Sequence, residues 1–394
     1  MKNFVEFFAG VGLMREGLQQ DNWECLFAND ISQDKQETYI ENFGGSDFHL
    51  GDIWDLVDQS CTVPDNAFLY TASFPCTDLS VAGNRAGLAG VHSGTLNALF
   101  EILDKKEEQN CKPKMVLLEN VKGFLTSHNG EDLISTIRLF SELGYFVDIV
   151  ELDAVYFTPQ SRQRVFIIAV EQELASNVML LKDPDAILDN WWAAFDQYPT
   201  LRSEKLKKVI KQSGDLNWGL FEFNFDRQIN NRLNEVIETD IPDDSKLWWS
   251  EERQNHLFEQ MNEAHKAKLQ DALGNDFLSF GTVYRRMRKG KSTAEYRTDG
   301  VAGCLRTPKG GSSKQILIQA GYGSWKVRLL TPREYARLQG VRDGFILPNN
   351  TNKGLFAMGD AVCVPVINFL SENILSPVYE YWCKNLDTSN IQES

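Results

Sequence analysis

The chain has 394 residues, 42% hydrophobic and 24% charged, which is the balance of a globular protein long enough for two or three domains. No uninterrupted apolar run approaches the roughly 18 residues that cross a bilayer and no charged and apolar leader precedes the first strand-like segment, so a cytoplasmic protein is expected. Seven scattered cysteines without a CxxC pair, and five histidines without ligand spacing, argue against a disulfide framework and a metal site. Net charge is −15, which at first weighs against a nucleic-acid partner.

Through residue 170 the chain alternates strand-like and helix-like stretches. Strands are expected at Asn3 to Phe8, Cys25 to Asn29, Ala67 to Ala72, Met115 to Glu119, Phe146 to Leu152 and Val165 to Val170. Several are short apolar runs bounded by turn residues, as in strands buried on both faces of a parallel sheet. Helices are expected at Leu96 to Lys106 and Leu133 to Leu143. The alternation implies an α/β fold with a doubly wound, mostly parallel sheet, and ligands at the carboxyl ends of its strands.

From about residue 172 the alternation stops. The domains expected are residues 1–172, a smaller irregular unit over 173–354, and a C-terminal helix over 355–394 returning to the first. Tryptophans 191, 192, 218, 248 and 249 are expected as core anchors of the second domain. Residues 285 to 314 hold nine Lys or Arg against Glu295 and Asp299, a local charge of +7 that leaves −22 elsewhere. Such a stripe on an acidic body is compatible with phosphate binding at one face. Order returns at Ile316 to Ile318. Thr331-Pro332-Arg333-Glu334 then reads as a capped helix start, with Pro at the first helical position and Glu at the third.

The first strand runs into Phe8-Ala9-Gly10-Val11-Gly12-Leu13, a glycine turn from strand to helix where backbone can approach a ligand. The dinucleotide fingerprint is incomplete, because its third glycine would fall on Arg15. Asp30 ends the second strand, where a carboxylate can accept ribose hydroxyls, and Asp52 with Ile53 stands at the third strand's end. A nucleoside cofactor without a phosphate cradle fits better than a dinucleotide, and S-adenosylmethionine is such a molecule.

Cys76 follows the strand ending at Ala72, inside Ser73-Phe74-Pro75-Cys76. An isolated cysteine there would be read as merely buried. Glu119-Asn120-Val121 at the next strand end, and Arg162 and Arg164 at alternate positions before the last strand, change that reading. A thiol, a carboxylic acid and an arginine are what C5 chemistry on a pyrimidine needs. C5 of cytosine is a poor nucleophile until a thiolate adds at C6, and the carboxyl group supports protonation at N3. A free thiol titrates at about 8.5, so cationic surroundings favour the thiolate.

Phe8 to Gly12, Pro75-Cys76, Glu119-Asn120-Val121 and Gln160-x-Arg162-x-Arg164 occur in the order of the cytosine-C5 DNA methyltransferases. Arg328-Leu329-Leu330-Thr331-Pro332-Arg333-Glu334 and Gly359-Asp360-Ala361-Val362 resemble that family's last two motifs. The resemblance covers residues 3 to 170 and about 326 to 370. It implies that Phe8 stacks on the cofactor adenine, Asp30 binds its ribose and Asp52 with Ile53 contacts the adenine. Ala9, Gly10, Gly12, Leu13, Ile31, Pro75, Leu96, Asp360, Ala361 and Val362 would complete the cofactor site. Cys76 would attack C6, Glu119 hold the N3/N4 edge, Arg164 contact the base carbonyl, and Arg162 support the site. The loop from Ser80 to Thr95, with Ser80 and Arg85 on DNA, would close while the target cytosine is flipped out. The segment between the motif blocks would be the target-recognition region, with Arg285, Arg286, Arg288, Lys289, Arg306 and Lys309 on DNA. Implied partners are double-stranded DNA and a cognate restriction endonuclease acting on the same site, with the enzyme itself a monomer.

Four positions depart from the family pattern. Thr77 replaces Gln, Leu79 replaces Phe, Leu13 replaces a frequent glycine, and Asp360 replaces Asn. None removes a group that performs chemistry. The alternatives are cytosine-C5 methylation of RNA on the same fold, and a catalytically silent DNA-binding relative. The roughly 150 residues between the motif blocks favour a DNA-reading domain, and the full Cys76, Glu119 and Arg164 set argues against a silent module.

Overall fold

The computed structural model describes residues 1–58, 62–75, 94–183, 190–288, 290–307 and 313–392. Two compact units emerge, Met1–Leu152 with Gln163–Asp226 and Val366–Ser394, and Asp153–Arg162 with Arg227–Pro365.

In chain order the first unit contains β1 (Asn3–Phe7), α1 (Leu13–Gln19), β2 (Glu24–Asp30), α2 (Gln33–Phe43), β3 (Phe48–Leu50), α3 (Ile53–Asp58), β4 (Leu69–Ala72), α4 (Thr95–Glu108), β5 (Met115–Val121), α5 (Glu131–Glu142), β6 (Tyr145–Asp153) and β7 (Gln163–Glu171). The seven strands form one sheet in the order β3-β2-β1-β4-β5-β7-β6. Strands β3, β2, β1, β4 and β5 pair in parallel, and β7 runs antiparallel to β5. All six expected strands are present, with β3 as a seventh. Their legibility has a simple cause: β4, and β5 up to its last residue, are buried, so their sequences are continuous apolar runs rather than alternating ones. Helix α4 contributes Leu96, Leu99, Phe100 and Leu103, one apolar stripe at helical spacing, to the same core.

The expected domain boundary near residue 172 is corrected. After β7 come α6 (Gln172–Val178), β8 (Leu180–Leu181), α7 (Asn190–Asp196), α8 (Glu204–Gln212) and β9 (Gly219–Leu220), all within the first unit. Trp191, Phe195, Leu206, Val209, Ile210 and Trp218 are buried in the core of the first unit's sheet, so Trp191 and Trp218 do not anchor a second domain. A buried ion pair locks this addition to β6. The Arg202 guanidinium donates to Asp148 Oδ2 at 2.7 Å and to the Phe221 carbonyl at 3.0 Å, while the Phe221 amide donates back to Asp148 at 2.8 Å.

The second unit holds α9 (Glu251–Glu259), α10 (Glu263–Leu273), β10 (Ser279–Arg288), β11 (Lys291–Arg297), β12 (Ile316–Gly321), β13 (Ser324–Leu329), α11 (Pro332–Leu338) and α12 (Thr351–Asp360). Its antiparallel sheet runs β11-β10-β12-β13 over a core that includes Trp249, Leu257, Leu269, Val283, Tyr296, Ile316 and Ile318. The expected capping box at Thr331 is formed, and Glu334 also takes two guanidinium bonds from buried Arg328, at 2.5 and 2.6 Å. The motif from Arg328 to Glu334 thus acts here as a structural clamp. Helices α13 (Val364–Leu370) and α14 (Ser376–Gln392), joined by one wide turn, follow. The C-terminal segment belongs to the first unit from Val366, not from 355. It is tied there by Ser371 and Ser376 hydroxyls on Asp21 and by Tyr379 and Trp382 against Phe68. Taken together, Thr351–Leu386 contains an 18-residue window whose length and mean hydropathy would suffice to cross a membrane, but 72% of that window is buried inside the protein.

The side of β1 opposite Val5 and Phe7 carries an unusual group. Glu6 is buried, and burial pushes its carboxyl up to about 8, against a partial opposing pull from Arg15 and reinforcement from Asp30 and Asp47. Arg15 is itself spent on Tyr39 Oη at 2.7 Å and Asp47 at 2.5 Å, which is why it occupies a position that a dinucleotide fold gives to glycine.

Two outcomes follow from these buried charges. Arg202→Ala, which strands Asp148, should cost about 3–5 kcal/mol in denaturant unfolding, and a loss below about 1 would contradict the pairing. For Glu6 the folded carboxyl titrates above its usual value of 4.5. Its contribution to stability is therefore whole below that pH, declines as the unfolded chain ionises, and stops declining only near pH 8. Between pH 5 and 8, Glu6→Gln should gain stability relative to the unsubstituted protein, and parallel pH–stability curves would contradict this.

Candidate functional site

The carboxyl end of the first unit's sheet collects the groups that could do chemistry. Glu119 lies near the end of β5, only 4% exposed. Strand register decides its partners. On one side β7 pairs Phe166 with Glu119 and Arg164 with Val121, so Arg164 shares Glu119's face two residues along. Its Nε stands 2.9 Å from Glu119 Oε1. On the other side β4 pairs Ala72 with Leu118, which puts Ser73 beside Glu119, and the Ser73 hydroxyl donates to Glu119 Oε2. The carboxylate is therefore held from both neighbouring strands.

The chain leaving β4 is fixed in turn. Asn120 donates from Nδ2 to the Phe74 carbonyl at 3.2 Å, and Phe74 is buried edge-on against Phe124. Pro75 follows. Cys76, Ser80 and Arg85, together with Thr77 and Leu79, lie outside the described residues, as do Lys289 and Lys309. The sequence alone assigns no role to Ser73 or Asn120. A hydroxyl at a strand end becomes informative only once the neighbouring strand is known.

At the ends of β1 and β2 the glycine turn is built around Asp30. The Gly10 amide donates to Asp30 Oδ2 and the Ser32 amide to Oδ1, each at 2.8 Å. Phe8 adopts φ 56°, a conformation costly for a bulky L-residue and one that concentrates at ligand sites. Gly10 and Gly12 also take positive φ, and a Cβ on Gly12 would stand 2.5 Å from the Phe43 ring. The Ala9 amide donates to the Asn29 carbonyl, and Gly12's to Ala9. Asn29, another residue the sequence reading passed over, ties β2 to the chain after β3 by donating to the His49 and Gly51 carbonyls at 3.1 and 2.9 Å.

These contacts test which cofactor fits. The Gly10 and Gly12 amides, the donors a pyrophosphate would need, are already spent on Asp30 and Ala9. Asp30 uses only one bond on each oxygen and keeps lone pairs for hydroxyl donors. Ile31 beyond it is 69% exposed, an apolar surface beside a polar anchor. Asp52 accepts from the Trp54 amide at the start of α3, while the Ile53 side chain is buried in the core, leaving its main chain to meet a ligand. Leu13 and Leu96 are likewise buried. The set suits a phosphate-free nucleoside.

Arg162 and Arg164, expected on one face, have separate tasks. Arg162 is 1% exposed and belongs to the second unit, where its guanidinium donates to the carbonyls of Leu305 at 2.9 Å, Gly359 at 3.3 Å and Ala361 at 2.7 Å. Gln339 adds a bond to the Ala361 carbonyl at 3.1 Å. These contacts fix Gly359-Asp360-Ala361-Val362. Gly359 is required there, because a Cβ would stand 2.6 Å from the Arg306 carbonyl. Val362 is buried and Asp360 is exposed.

The basic stripe is a hairpin, β10 and β11, and alternation divides its residues between two faces. Arg285 pairs with Ala294 on the core side, follows Val283, and lies near Arg253; burial, then that like charge, holds its guanidinium below the ordinary range. Arg286 is exposed on the other face with Tyr284, pairs with Glu295 at 3.5 Å, and lies 5.2 Å from the Tyr284 ring. Arg306 approaches the same ring at 5.6 Å. Arg288 ends the strand opposite Lys291.

Comparison with known proteins accords with this geometry. Residues 2–376 match the family described as C-5 cytosine-specific DNA methylase. The type II methyltransferase M.HhaI of Haemophilus parahaemolyticus is 28% identical over 373 residues, 94% of this chain and 93% of that protein. The type II methyltransferase M.DsaV of Dactylococcopsis salina is 27% identical over 375 residues, covering 95% and 86%. Among solved structures, the S. pombe Dnmt2 methyltransferase superposes with a TM-score of 0.59 at 18% identity, covering 96% of this chain and 98% of that one, a likeness of fold. With a match over nearly its whole length, a doubly wound sheet and an acid held at the end of β5, this chain belongs to the C-5 cytosine-specific DNA methylase family.

Proposed function

We propose that the chain methylates C5 of a flipped-out cytosine in duplex DNA through a covalent bond between Cys76 and C6, with S-adenosylmethionine as methyl donor. The observation that carries the proposal is Glu119, buried at a strand end between the Ser73 hydroxyl and Arg164. In this reading the Cys76 thiolate adds to C6 while Glu119, at the N3/N4 edge, supplies the proton that N3 takes up. The displaced electrons make C5 nucleophilic. Bound S-adenosylmethionine supplies an electrophilic methyl group on a sulfonium centre. After C5 takes the methyl group, a base removes the C5 proton, the thiolate leaves and N3 returns its proton to Glu119, restoring the aromatic ring, the free cysteine and the carboxylic acid. Arg164 orients Glu119 and contacts the base carbonyl. Arg162 acts at a distance, by fixing the chain from Gly359 to Val362.

Phe8, Asp30, Ile31, Asp52 and the Ile53 main chain would hold the nucleoside part of the donor, the carboxylate of Asp30 accepting ribose hydroxyls. The full set of bonds at Gly10 and Gly12 supports a ligand without phosphate. For DNA, the exposed face of the hairpin with Arg286 and Arg306 is proposed to meet phosphates, whereas Arg285 is turned to the core side. A cytoplasmic monomer, with a restriction endonuclease acting on the same site, completes the proposal.

Trapping tests the chemistry. Duplex DNA carrying 5-fluorocytosine should form a covalent adduct that Cys76→Ala abolishes. No adduct on any DNA, or an adduct on RNA alone, would overturn the reading. Salt dependence tests the hairpin. Arg286→Ala with Arg306→Ala should lower the slope of log affinity against log salt by about one to two units, with Arg285→Ala changing it little. An unchanged slope in the double variant would reject the assignment.

A further inference from the structure

Glu119 has two grips, and they differ in chemistry. Arg164 is a donor only and holds Oε1. The Ser73 hydroxyl holds Oε2, from the residue directly after β4. A terminal carboxyl torsion is broad and roughly two-fold, so a carboxyl group held at one oxygen still swings. A second contact on the other oxygen removes that freedom. Ser73 is itself anchored, because the next residue's carbonyl accepts from Asn120 and its ring is buried against Phe124.

We infer that Ser73 is a positioning residue for methyl transfer, fixing the orientation of the Glu119 carboxyl in both of its protonation states. The inference rests on the proposed role of Glu119 at the base's N3/N4 edge. When Glu119 is ionised, Ser73 donates to Oε2, as in the structure. When the carboxyl carries the proton destined for N3 on Oε1, Oε2 is its carbonyl oxygen and still accepts from Ser73. The same contact therefore holds the carboxyl in one orientation before and after the proton moves. The proton passes between Glu119 and N3 of the base, and Ser73 neither gains nor loses one. A misplacement of about 1 Å in a reacting group can cost on the order of a hundredfold in rate, which is the scale of effect that such a contact controls.

The test uses the full-length enzyme, unmethylated plasmid duplex and S-adenosylmethionine, reading the single-turnover methyl-transfer rate, the KM for DNA and the Tm. Ser73→Ala should slow single-turnover transfer about ten- to a hundredfold with the DNA KM within about threefold. Ser73→Thr should recover most of the rate, whereas Ser73→Val, equal in size to Thr but without the hydroxyl, should not. In a Glu119→Gln background, Ser73→Ala should slow transfer no further. An unchanged rate in Ser73→Ala, equal rates for the Thr and Val variants, or additive losses with Glu119→Gln would each overturn the inference. Wild-type transfer by Glu119→Gln would instead overturn the assigned role of Glu119. The Thr and Val comparison keeps the inference open to contradiction even if the Ala variant fails to fold.

Discussion

The register of three strands around Glu119 is the constraint on which the proposed chemistry depends. A carboxylate removed from water needs compensating partners, and the sheet supplies one from each side of β5: the Ser73 hydroxyl donates to Oε2 and the Arg164 guanidinium is ion-paired with Oε1. The parallel neighbour β4 ends one residue before Ser73, and the antiparallel neighbour β7 brings Arg164 back along the same face. A slip of one residue in either pairing would turn the donor to the opposite face of the sheet. The antiparallel insertion of β7 therefore does more than extend the sheet. It lets a residue at the strand's beginning reach the strand end where the acid stands.

The side proposed for the cofactor obeys a similar economy. Asp30 is preorganised by two backbone amides, so the turn that carries Phe8, Gly10 and Gly12 is shaped before any ligand arrives. The amides used in that shaping are those that a phosphate would have claimed. Behind the turn, Arg15 is committed to Tyr39 and Asp47, and Glu6 is buried with its carboxyl pushed up to about 8. The unfavourable burial of Glu6 sits in β1, and the strain at Phe8 in the glycine turn into which β1 leads. Elsewhere, the ion pairs Arg202–Asp148 and Arg328–Glu334 do structural work within their own units.

Much of this was legible in the sequence because buried parallel strands write themselves as continuous apolar runs. The six strands could be read that way, and the glycine turn, the capping box at Thr331 and the acids at strand ends from short local residue patterns. What stayed hidden depends on neighbours. Ser73 gains meaning only when β4 is known to lie beside β5, and no local pattern in the sequence states strand order. Residues 173–226 looked like a new domain because their alternation fails, yet Trp191, Trp218 and the Arg202–Asp148 pair bind them to the first core. Arg285 and Arg286 are adjacent in a run of basic residues, but strand alternation sends them to different faces. Arg162 is expected to support the site, and the carbonyls that its guanidinium fixes in the second unit are not readable from its spacing.

The proposed mechanism joins Cys76 to the base's C6 and Glu119 to its N3/N4 edge in one complex. A crystal structure of the enzyme trapped on a 5-fluorocytosine duplex tests that claim most directly. The account predicts continuous density from Cys76 Sγ to C6, with a Glu119 oxygen at hydrogen-bond distance from N3 and the other still against Ser73. A trapped base with Glu119 turned away from N3, or joined through a residue other than Cys76, would contradict it.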